Sequence, residues 1–455
     1  MKKIAAALLL LVLLLAGCGQ APETSDKENT LTLREFDAVI ERWEGSVLTV
    51  TTPDGRSRSL NTLRAVVYGR YQPEPGCPVT VAVAEEGPPD AAFRVHLLGL
   101  PPDRVLARQL LADMSREEKV GQIFLARCPD QQAVETVSLL HLGGYVLFAR
   151  DFDGLTTEQV SSRIDSYQQA AELPLFVAVD EEGGYVVRVS SNPALRYAPF
   201  ASPRNVYLSG GLEALTADAR EKGRLLSSLG INVDLAPVAD VSTSPSDFIY
   251  DRALGENAET TAAAVAAQVE ALEETGVSAT LKHFPGYGNN GDTHNGVVTD
   301  NRPAQTFYEQ DLLPFASGIA AGADFVLVSH NLVTAFDGSR PASLSPAIHQ
   351  LLREELGFDG LIVTDDLAMG GVAQLYGVDE TAVLALLAGN DLLLSSDPEQ
   401  QIAAILRAMD TGRVSESLVD ETVERILRAK IMAGLIPLPD GGTAAGEEAD
   451  AAGAG

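Results

Sequence analysis

Eight short apolar runs alternate with amphipathic segments along most of the chain, and this alternation constrains the fold more than any other feature. The runs are GQIFLAR (121–127), GGYVLFA (143–149), LFVAVD (175–180), INVDLAPV (231–238), VSATLKHF (277–284), DFVLVSH (324–330), GLIVTDD (360–366) and DLLLSS (391–396). Strands that are apolar on both faces and alternate with helices are typical of a parallel sheet. Eight such units predict a (β/α)8 TIM barrel over residues 102–436, because a doubly wound sheet usually has fewer strands.

Charged and imidazole side chains collect where these predicted strands end. Asp180, His330 and Asp365 each lie at the end of one run, and Lys282 and His283 lie at the end of another. The C-terminal ends of the strands of a (β/α)8 barrel meet at the face that carries active sites. The distribution therefore predicts an enzyme with its site at this face.

The regions that flank the predicted barrel have different patterns. Residues 33–100 contain short runs rich in β-branched and aromatic residues, separated by turn sequences such as PDGR and PEPG. They predict a small β-barrel or sandwich domain of about five strands. The sequence leaves open whether this domain is a spacer or binds a ligand. Residues 437–455 are rich in glycine, alanine and acidic residues, which predicts a disordered tail.

The N-terminus is typical of an exported protein. Lys2 and Lys3 precede the apolar run IAAALLLLVLLLAG, which predicts a signal peptide over residues 1–17. The next residue, Cys18, completes the sequence LAGC, which resembles the lipobox of bacterial lipoproteins. This resemblance implies lipidation of Cys18, a polar tether over residues 18–32 and attachment to the extracytoplasmic face of the cell membrane. An uncleaved anchor helix and a soluble exported protein are the alternatives.

Charge and cysteine content limit the partners and cofactors. The formal net charge is −30, so the chain is expected to repel nucleic acid. Cys77 and Cys128 lie in different predicted domains and fit no metal-ligand spacing. Two buried or unreactive thiols are therefore expected in preference to a disulfide.

The segment KHFPGYGNNGDTHNG (282–296) combines an Asp-x-His pair with several glycines. A carboxylate that accepts a hydrogen bond from one imidazole nitrogen raises the basicity of the other, so Asp292 and His294 are candidates for proton transfer. The glycines would allow the pair to move over a bound ligand and withdraw. On its own, an Asp-x-His pair is a weak signal, because most loop histidines have no catalytic role.

Two further pairs are candidates for a site, and each has a structural alternative. Asp365 and Asp366 follow a predicted strand, and since strand side chains alternate in direction, one can face a substrate while the other supports a loop. A strand-end aspartate can also cap the next helix. Lys282 and His283 suit recognition of hydroxyl groups, although Lys282 can instead pair with an acid at the end of a neighbouring strand.

Five sequence blocks occur together in the order and spacing of a known family. They are AVDEEGGYVVRV (178–189), LGINVDLAPVADV (229–241), YDRALGENAE (250–259), KHFPGYGNNGDTH (282–294) and ELGFDGLIVTDDLAMGG (355–371). The fourth block is similar to the Lys-His-Phe-Pro-Gly-His-Gly…Asp-Ser/Thr-His signature of glycoside hydrolase family 3. More narrowly, the chain resembles the bacterial β-N-acetylglucosaminidase branch of that family over about residues 105–436.

The resemblance implies a role for each matching residue. Asp365 would be the nucleophile, and His294 would be the acid/base, oriented by Asp292. The residues implied to bind the hydroxyls of the non-reducing terminal sugar are Asp180, Arg188, Arg252, Lys282 and His283. Tyr185 stands where the family usually has arginine and Tyr287 where it usually has histidine, so the preferred leaving group stays open.

The reaction that the resemblance implies is a retaining double displacement on a β-N-acetylglucosaminide or a cell-wall glycan. It needs no metal or organic cofactor. A neighbouring-group mechanism, a family 3 β-glucosidase and a glycoside phosphorylase are alternatives. A non-catalytic lipoprotein that binds muropeptides is an alternative from a different class.

Overall fold

The computed structural model describes residues 33–63, 65–68, 73–84, 90–291, 298–368 and 370–439. The chain divides into two compact units between Pro101 and Pro102. Asp292, His294, Cys18, the rest of residues 1–32 and residues 440–455 lie outside the described residues. The predicted signal peptide, tether, lipidation site and tail, and the predicted Asp-x-His pair, therefore stay predictions.

The N-terminal unit is all β, as predicted. Its strands are β1 Leu33–Glu44, β2 Val47–Thr51, β3 Ser57–Asn61, β4 Val66–Tyr68, β5 Pro78–Ala84 and β6 Ala92–Leu97. They form one sheet in the order β3-β2-β1-β5-β6-β4, in which β4 and β6 are parallel and the other neighbours are antiparallel. A bridge between Asn61 and Ala91 brings the end of β3 to the start of β6, so the sheet curls as a barrel does.

The prediction of about five strands is too low, since the described part of this unit has six. The missed strand is β3, whose sequence SRSLN is mostly polar. Leu60 is its only fully buried side chain, and pairing with β2 holds the other residues in the sheet. In the described part of this unit the strands form one curled sheet.

The second unit is a parallel barrel, which confirms the predicted fold class. Its strands, in chain order, are β7 Phe124–Arg127, β8 Gly144–Leu147, β9 Phe176–Val179, β10 Val233–Asp234, β11 Ser278–Phe284, β12 Thr299–Asp300, β13 Phe325–Val328, β14 Leu332–Val333, β15 Leu361–Thr364 and β16 Leu393–Ser395. Eight of them form one sheet in the order β15-β13-β11-β10-β9-β8-β7-β16, while β12 and β14 pair separately. A bridge between Val363 and Leu392 connects β15 to the start of β16 and closes the ring.

Each of the eight predicted apolar runs contains one barrel strand. The strands β8, β9, β13 and β15 are buried along their whole length, because one face points into the barrel and the other packs against helices. This double burial explains why the runs lack the alternating pattern of the N-terminal sheet. It also places the C-terminal ends of the strands at one common face.

The helices precede β7, alternate with the later barrel strands and follow β16. They are α1 Pro102–Asp113, α2 Arg116–Gln122, α3 Ala133–Leu140, α4 Thr157–Ala170, α5 Pro203–Ser228, α6 Ala258–Glu273, α7 Ala304–Thr306, α8 Leu312–Ala320, α9 Pro346–Gln350, α10 Gly370–Tyr376, α11 Val378–Ala388, α12 Pro398–Asp410 and α13 Glu416–Met432. Side-chain caps start several of them, such as Thr156 at α4 and Asn257 at α6. Within α5, Gly210 and Gly211 have non-helical backbone angles, so this range consists of two helices joined at a kink.

Two further findings concern predictions made from composition. Cys77 and Cys128 are both buried and are not joined in a disulfide, as expected. Within the described ranges, none of the helices has the length and apolar character needed to cross a membrane.

Candidate active site

Lys282 lies at the centre of an ion-pair network at the C-terminal face of the barrel. Its side chain is 2% exposed, and its Nζ lies 2.7 Å from Asp180 Oδ1 and 2.5 Å from Glu182 Oε1. Burial alone would lower the pKa of the Lys282 ammonium, but the two carboxylates outweigh burial and raise that pKa. Lys282 is therefore a fixed cation, and the ion pair with a strand-end acid that was its structural alternative is present.

Glu182 connects Lys282 to Arg252. Arg252 donates from Nε to Glu182 Oε2 (3.0 Å) and from Nη2 to Glu182 Oε1 (2.7 Å), which is the bidentate geometry of a strong charge-assisted pair. Burial raises the pKa of the Glu182 carboxyl, but Lys282 and Arg252 together lower it to about 2. Glu182 is consequently ionised across the physiological range, and it holds two cations in place.

His283 is fixed by hydrogen bonds at both ring nitrogens. Nδ1 lies 2.7 Å from Asp240 Oδ2, and Nε2 lies 3.1 Å from Arg252 Nη2. Because a guanidinium nitrogen can only donate, Nε2 must accept, and the ring proton sits on Nδ1 and is donated to Asp240. Asp240 also accepts from the backbone N–H groups of His283 (3.1 Å) and Tyr287 (2.7 Å). This histidine is therefore oriented for binding and has no free nitrogen for proton transfer.

The segment after β9 brings Arg188 to Asp180. The buried Glu181 accepts backbone N–H groups from Arg188 (2.9 Å), Val189 (2.8 Å) and Ser190 (3.3 Å), which fixes the segment at its carboxyl end. Arg188 Nη2 then lies 3.6 Å from Asp180 Oδ2. Asp180 is thus held between Lys282 and Arg188.

Asp365 follows β15 at the same face of the barrel. Its backbone N–H donates to Val328 O (3.2 Å), and its half-buried carboxylate accepts from the N–H of Asp366 (2.9 Å). Asp366 instead supports neighbouring loops, since its Oδ1 accepts from Ala368 N (2.9 Å) and Ser396 N (3.1 Å). The two adjacent carboxylates therefore have different roles: Asp366 supports neighbouring loops, and Asp365 lies where β15 ends at the mouth of the barrel.

His330 lies behind this pair and is fully buried. Its Nε2 lies 3.2 Å from the carbonyl oxygen of Asp366, which can only accept, and its Nδ1 lies 2.7 Å from Ser343 Oγ. The ring proton is accordingly on Nε2, and Ser343 donates to Nδ1. Both nitrogens support the backbone after β15, so His330 is a structural residue.

The structure brings all five predicted sugar-binding residues into one network and adds two that the sequence does not single out. The five are Asp180, Arg188, Arg252, Lys282 and His283. The additions are Glu182 and Asp240. The sequence did contain a signal for both residues, because Glu182 follows the apolar run of β9 and Asp240 follows that of β10. Asp292 and His294 are not described, so the geometry of the predicted acid/base is not part of this site.

The network is built to bind a polar, uncharged ligand. Its cations and carboxylates are paired with each other, and their remaining donor and acceptor positions suit hydroxyl groups. Within the described residues, one group has the spacing of metal ligands: Glu118, His141 and Glu172. It precedes β7, β8 and β9 and therefore lies at the opposite end of the barrel from Lys282. The described part of the mouth thus contains a network of paired polar groups, and no group with metal-ligand spacing was found among its residues.

Comparisons with known proteins agree with this geometry. The model of the glycosyl hydrolase family 3 N-terminal domain matches residues 115–429. The chain is 34% identical to beta-hexosaminidase LpqI of Mycobacterium tuberculosis over 334 residues, which is 70% of this chain and 83% of that protein.

Two solved structures have the same barrel. A family 3 β-N-acetylglucosaminidase from Paenibacillus sp. FPU-7 matches with a TM-score of 0.66 and 32% identity, over 74% of this chain and 66% of that one. The β-N-acetylhexosaminidase from Beutenbergia cavernae matches with a TM-score of 0.65 and 30% identity, over 70% of this chain and 99% of that one. This chain thus spans just under two thirds of the Paenibacillus protein and nearly all of the Beutenbergia protein.

The closed barrel, the polar network at its mouth and the named β-hexosaminidases that it resembles together identify a glycoside hydrolase. With the family match over residues 115–429, the chain belongs to glycosyl hydrolase family 3.

Proposed function

We propose that the protein is a retaining β-N-acetylglucosaminidase that releases non-reducing terminal N-acetylglucosamine. The observation that carries the proposal is the placement of Asp365 after β15, at the same barrel face as the network around Lys282. The names of the similar proteins, β-hexosaminidase and β-N-acetylglucosaminidase, support the substrate class.

The proposed reaction has two displacements at the anomeric carbon. Asp365 attacks this carbon while protonated His294 gives its proton to the departing glycosidic oxygen, so the bond to the leaving group breaks as the bond to Asp365 forms. His294 then takes a proton from water, and the resulting hydroxide displaces Asp365 from the sugar. Asp292 orients the imidazole through both steps.

The ion-pair network around Lys282 would position the bound sugar. Lys282 and Arg252 donate to sugar hydroxyls, and Asp180 accepts from them. Because the ion pairs hold these groups before substrate arrives, binding does not have to order them, and the anomeric carbon is placed against Asp365.

We further propose that the enzyme is exported and lipid-anchored through Cys18. The support is the basic head, the apolar run and the LAGC sequence at the N-terminus. A location on the outer side of the cell membrane makes cell-wall fragments the proposed natural substrates.

Trapping of the intermediate tests the mechanism directly. Incubation with a 2-acetamido-2-deoxy-5-fluoro β-glycoside should slow both displacements and leave the sugar attached to the protein. Proteolysis and mass spectrometry should locate it on the peptide that contains Asp365. An inactivated enzyme that carries no sugar at Asp365 would support the neighbouring-group mechanism instead.

Loss of His294 should depend on the leaving group. For His294→Ala, kcat/KM for a phenyl β-N-acetylglucosaminide should fall about 10³-fold, because phenolate needs a proton to depart. With a 2,4-dinitrophenyl leaving group the loss should be about 10-fold or less, because this group departs unprotonated. His141→Ala, at the other end of the barrel, is the control and should change neither value. Equal losses with both substrates would contradict the acid role.

A further inference from the structure

We propose that Arg302 is a positioning residue, which fixes both stems of the loop that carries Asp292 and His294. The inference rests on the proposed function, since it concerns the placement of the acid/base. The first stem is residues 286–291 and the second is residues 298–302. Nothing in the family blocks quoted above includes Arg302.

Arg302 joins the two stems through one guanidinium group. Towards the second stem, its Nε lies 3.0 Å and its Nη2 lies 2.8 Å from Asp300 Oδ2. Towards the first stem, Nη2 donates to the carbonyl oxygen of Gly286 at 3.3 Å. Nη1 donates to both carboxylate oxygens of Asp311, at 3.0 and 2.9 Å, which ties the same group to the π-helical turn Phe307–Asp311.

The first stem passes so close to this cluster that only glycine fits. A Cβ at Gly286 would lie 2.6 Å from Asp311 Oδ1, and a Cβ at Gly288 would lie 2.1 Å from Arg302 Nη1. Both glycines also have positive φ, +115° and +52°. Gly286 and Gly288 therefore allow close packing against Arg302 and Asp311, whereas the sequence analysis had assigned the loop glycines to movement of the loop.

The second stem is held by backbone pairing as well. In β12, Thr299 and Asp300 pair with Leu332 and Val333 of β14, and the N–H of Thr334 donates to Asp300 O at 2.9 Å. Arg302 is the side chain that links this fixed strand to the first stem. The stems also approach each other at their far ends, where a Cβ at Gly291 would lie 3.9 Å from Val298 Cγ2, but Arg302 makes the hydrogen bond between them.

The chain between the two stems is short, so the positions of the stems set where the segment that carries the acid/base begins and ends. Six residues, 292–297, separate Gly291 at the end of the first stem from Val298 at the start of the second. Because an extended chain advances at most about 3.6 Å per residue, the positions of the two stems limit the region that a segment of this length can reach. A shift of either stem moves the region that the imidazole can reach.

The arrangement needs an arginine. Asp300 and Asp311 are both 1% exposed on their side chains, and one guanidinium serves both in bidentate fashion while its flat face lies 4.4 Å from the centre of the Phe307 ring. A lysine keeps the charge, but it cannot serve two carboxylates and a carbonyl from a planar fork. Arg302→Lys should therefore preserve charge balance and lose the geometry that joins the stems.

The test measures kcat/KM of Arg302→Lys with the two substrates used for His294. We expect a loss of about 30-fold for the phenyl glycoside and less than about 3-fold for the 2,4-dinitrophenyl glycoside, because a misplaced acid harms only the reaction that needs its proton. In a His294→Ala background, Arg302→Lys should leave the ratio of the two losses unchanged.

Arg353→Lys is the matched control. Arg353 is a similar partly buried arginine, which donates to Asp391 (2.5 Å) and to the carbonyl oxygens of Phe358 (2.8 Å) and Gly360 (2.6 Å) at the other end of β15. Its replacement should lower the stability without a preference between the substrates. If Arg302→Lys folds poorly, Asp311→Asn removes one anchor only and should give the same preference in weaker form.

Each outcome has a defined meaning. Equal losses with both substrates for Arg302→Lys, or no loss, would overturn the positioning role while leaving the mechanism intact, provided that His294→Ala shows its own leaving-group dependence. If His294→Ala itself shows no such dependence, the proposed function fails first.

Discussion

Replacing Asp365 with alanine is expected to lower kcat for an aryl β-N-acetylglucosaminide by at least about 10⁴-fold, because the variant has no group to form the bond to the anomeric carbon. The fold should survive. The carboxylate is half-buried at the mouth of the barrel, and the backbone hydrogen bond from Asp365 N to Val328 O does not depend on the side chain. Activity is measured by release of the aryl group, and the free energy of unfolding by urea denaturation.

Two companion measurements sharpen this result. Azide added to Asp365→Ala should restore turnover of a 2,4-dinitrophenyl substrate and give a glycosyl azide of inverted configuration, because the anion enters from the side that the carboxylate occupied. Asp366→Asn is the matched control, since Asp366 bonds Ala368 N and Ser396 N and should affect stability more than chemistry. Wild-type turnover by Asp365→Ala would show that another group is the nucleophile.

Replacing Glu182 with glutamine is expected to damage both stability and activity. The variant leaves Lys282 and Arg252 buried with one carboxylate fewer, a type of change that costs about 3–5 kcal/mol of unfolding free energy. It also frees the two side chains that the proposed function assigns to sugar hydroxyls, so kcat/KM should fall about 100-fold or more. Urea denaturation and hydrolysis of the phenyl glycoside measure the two effects.

The stability loss should depend on pH in a defined direction. The pKa of Glu182 falls from an ordinary value of 4.5 to about 2 in the folded protein, against the effect of burial, because Lys282 and Arg252 favour the ionised form. Its stabilising contribution is therefore complete above about pH 4.5 and is lost as the pH falls towards 2, with a ceiling of about 3 kcal/mol. The difference between wild type and Glu182→Gln should shrink over that range.

Glu213→Gln, which changes an exposed residue of α5, is the control for this pair of measurements. It should leave both the stability and its pH dependence unchanged. A difference between wild type and Glu182→Gln that stays constant from pH 7 to pH 3 would mean that Glu182 is not held ionised by its two cations.

The barrel could be predicted from the sequence because burial on both faces makes its strands continuous apolar runs. The same physics places Asp180, Lys282 and Asp365 at one face before any coordinates are known. The strand β3 was missed because pairing, and not apolar side chains, holds most of its residues in the sheet.

The connections within the site could not be predicted in the same way. Glu182 matters because Arg252 reaches it from 70 positions away, and the sequence contains no sign of that pairing. The proton on His283 Nδ1 follows from the direction in which Arg252 donates, which only the fold reveals. Arg302 lies outside the recognised blocks, and its role emerges only once Gly286 and Asp300 are seen beside it.

The shared partners of Glu182 also bear on how this family could acquire new sugar preferences. Exchanging Lys282, Glu182 or Arg252 alone leaves a buried charge without its partner. Single substitutions would therefore be removed by selection against instability before a new sugar preference could be selected. Laboratory libraries that vary such partners together, with their charges exchanged as sets, should retain folded variants more often than libraries that vary one position at a time.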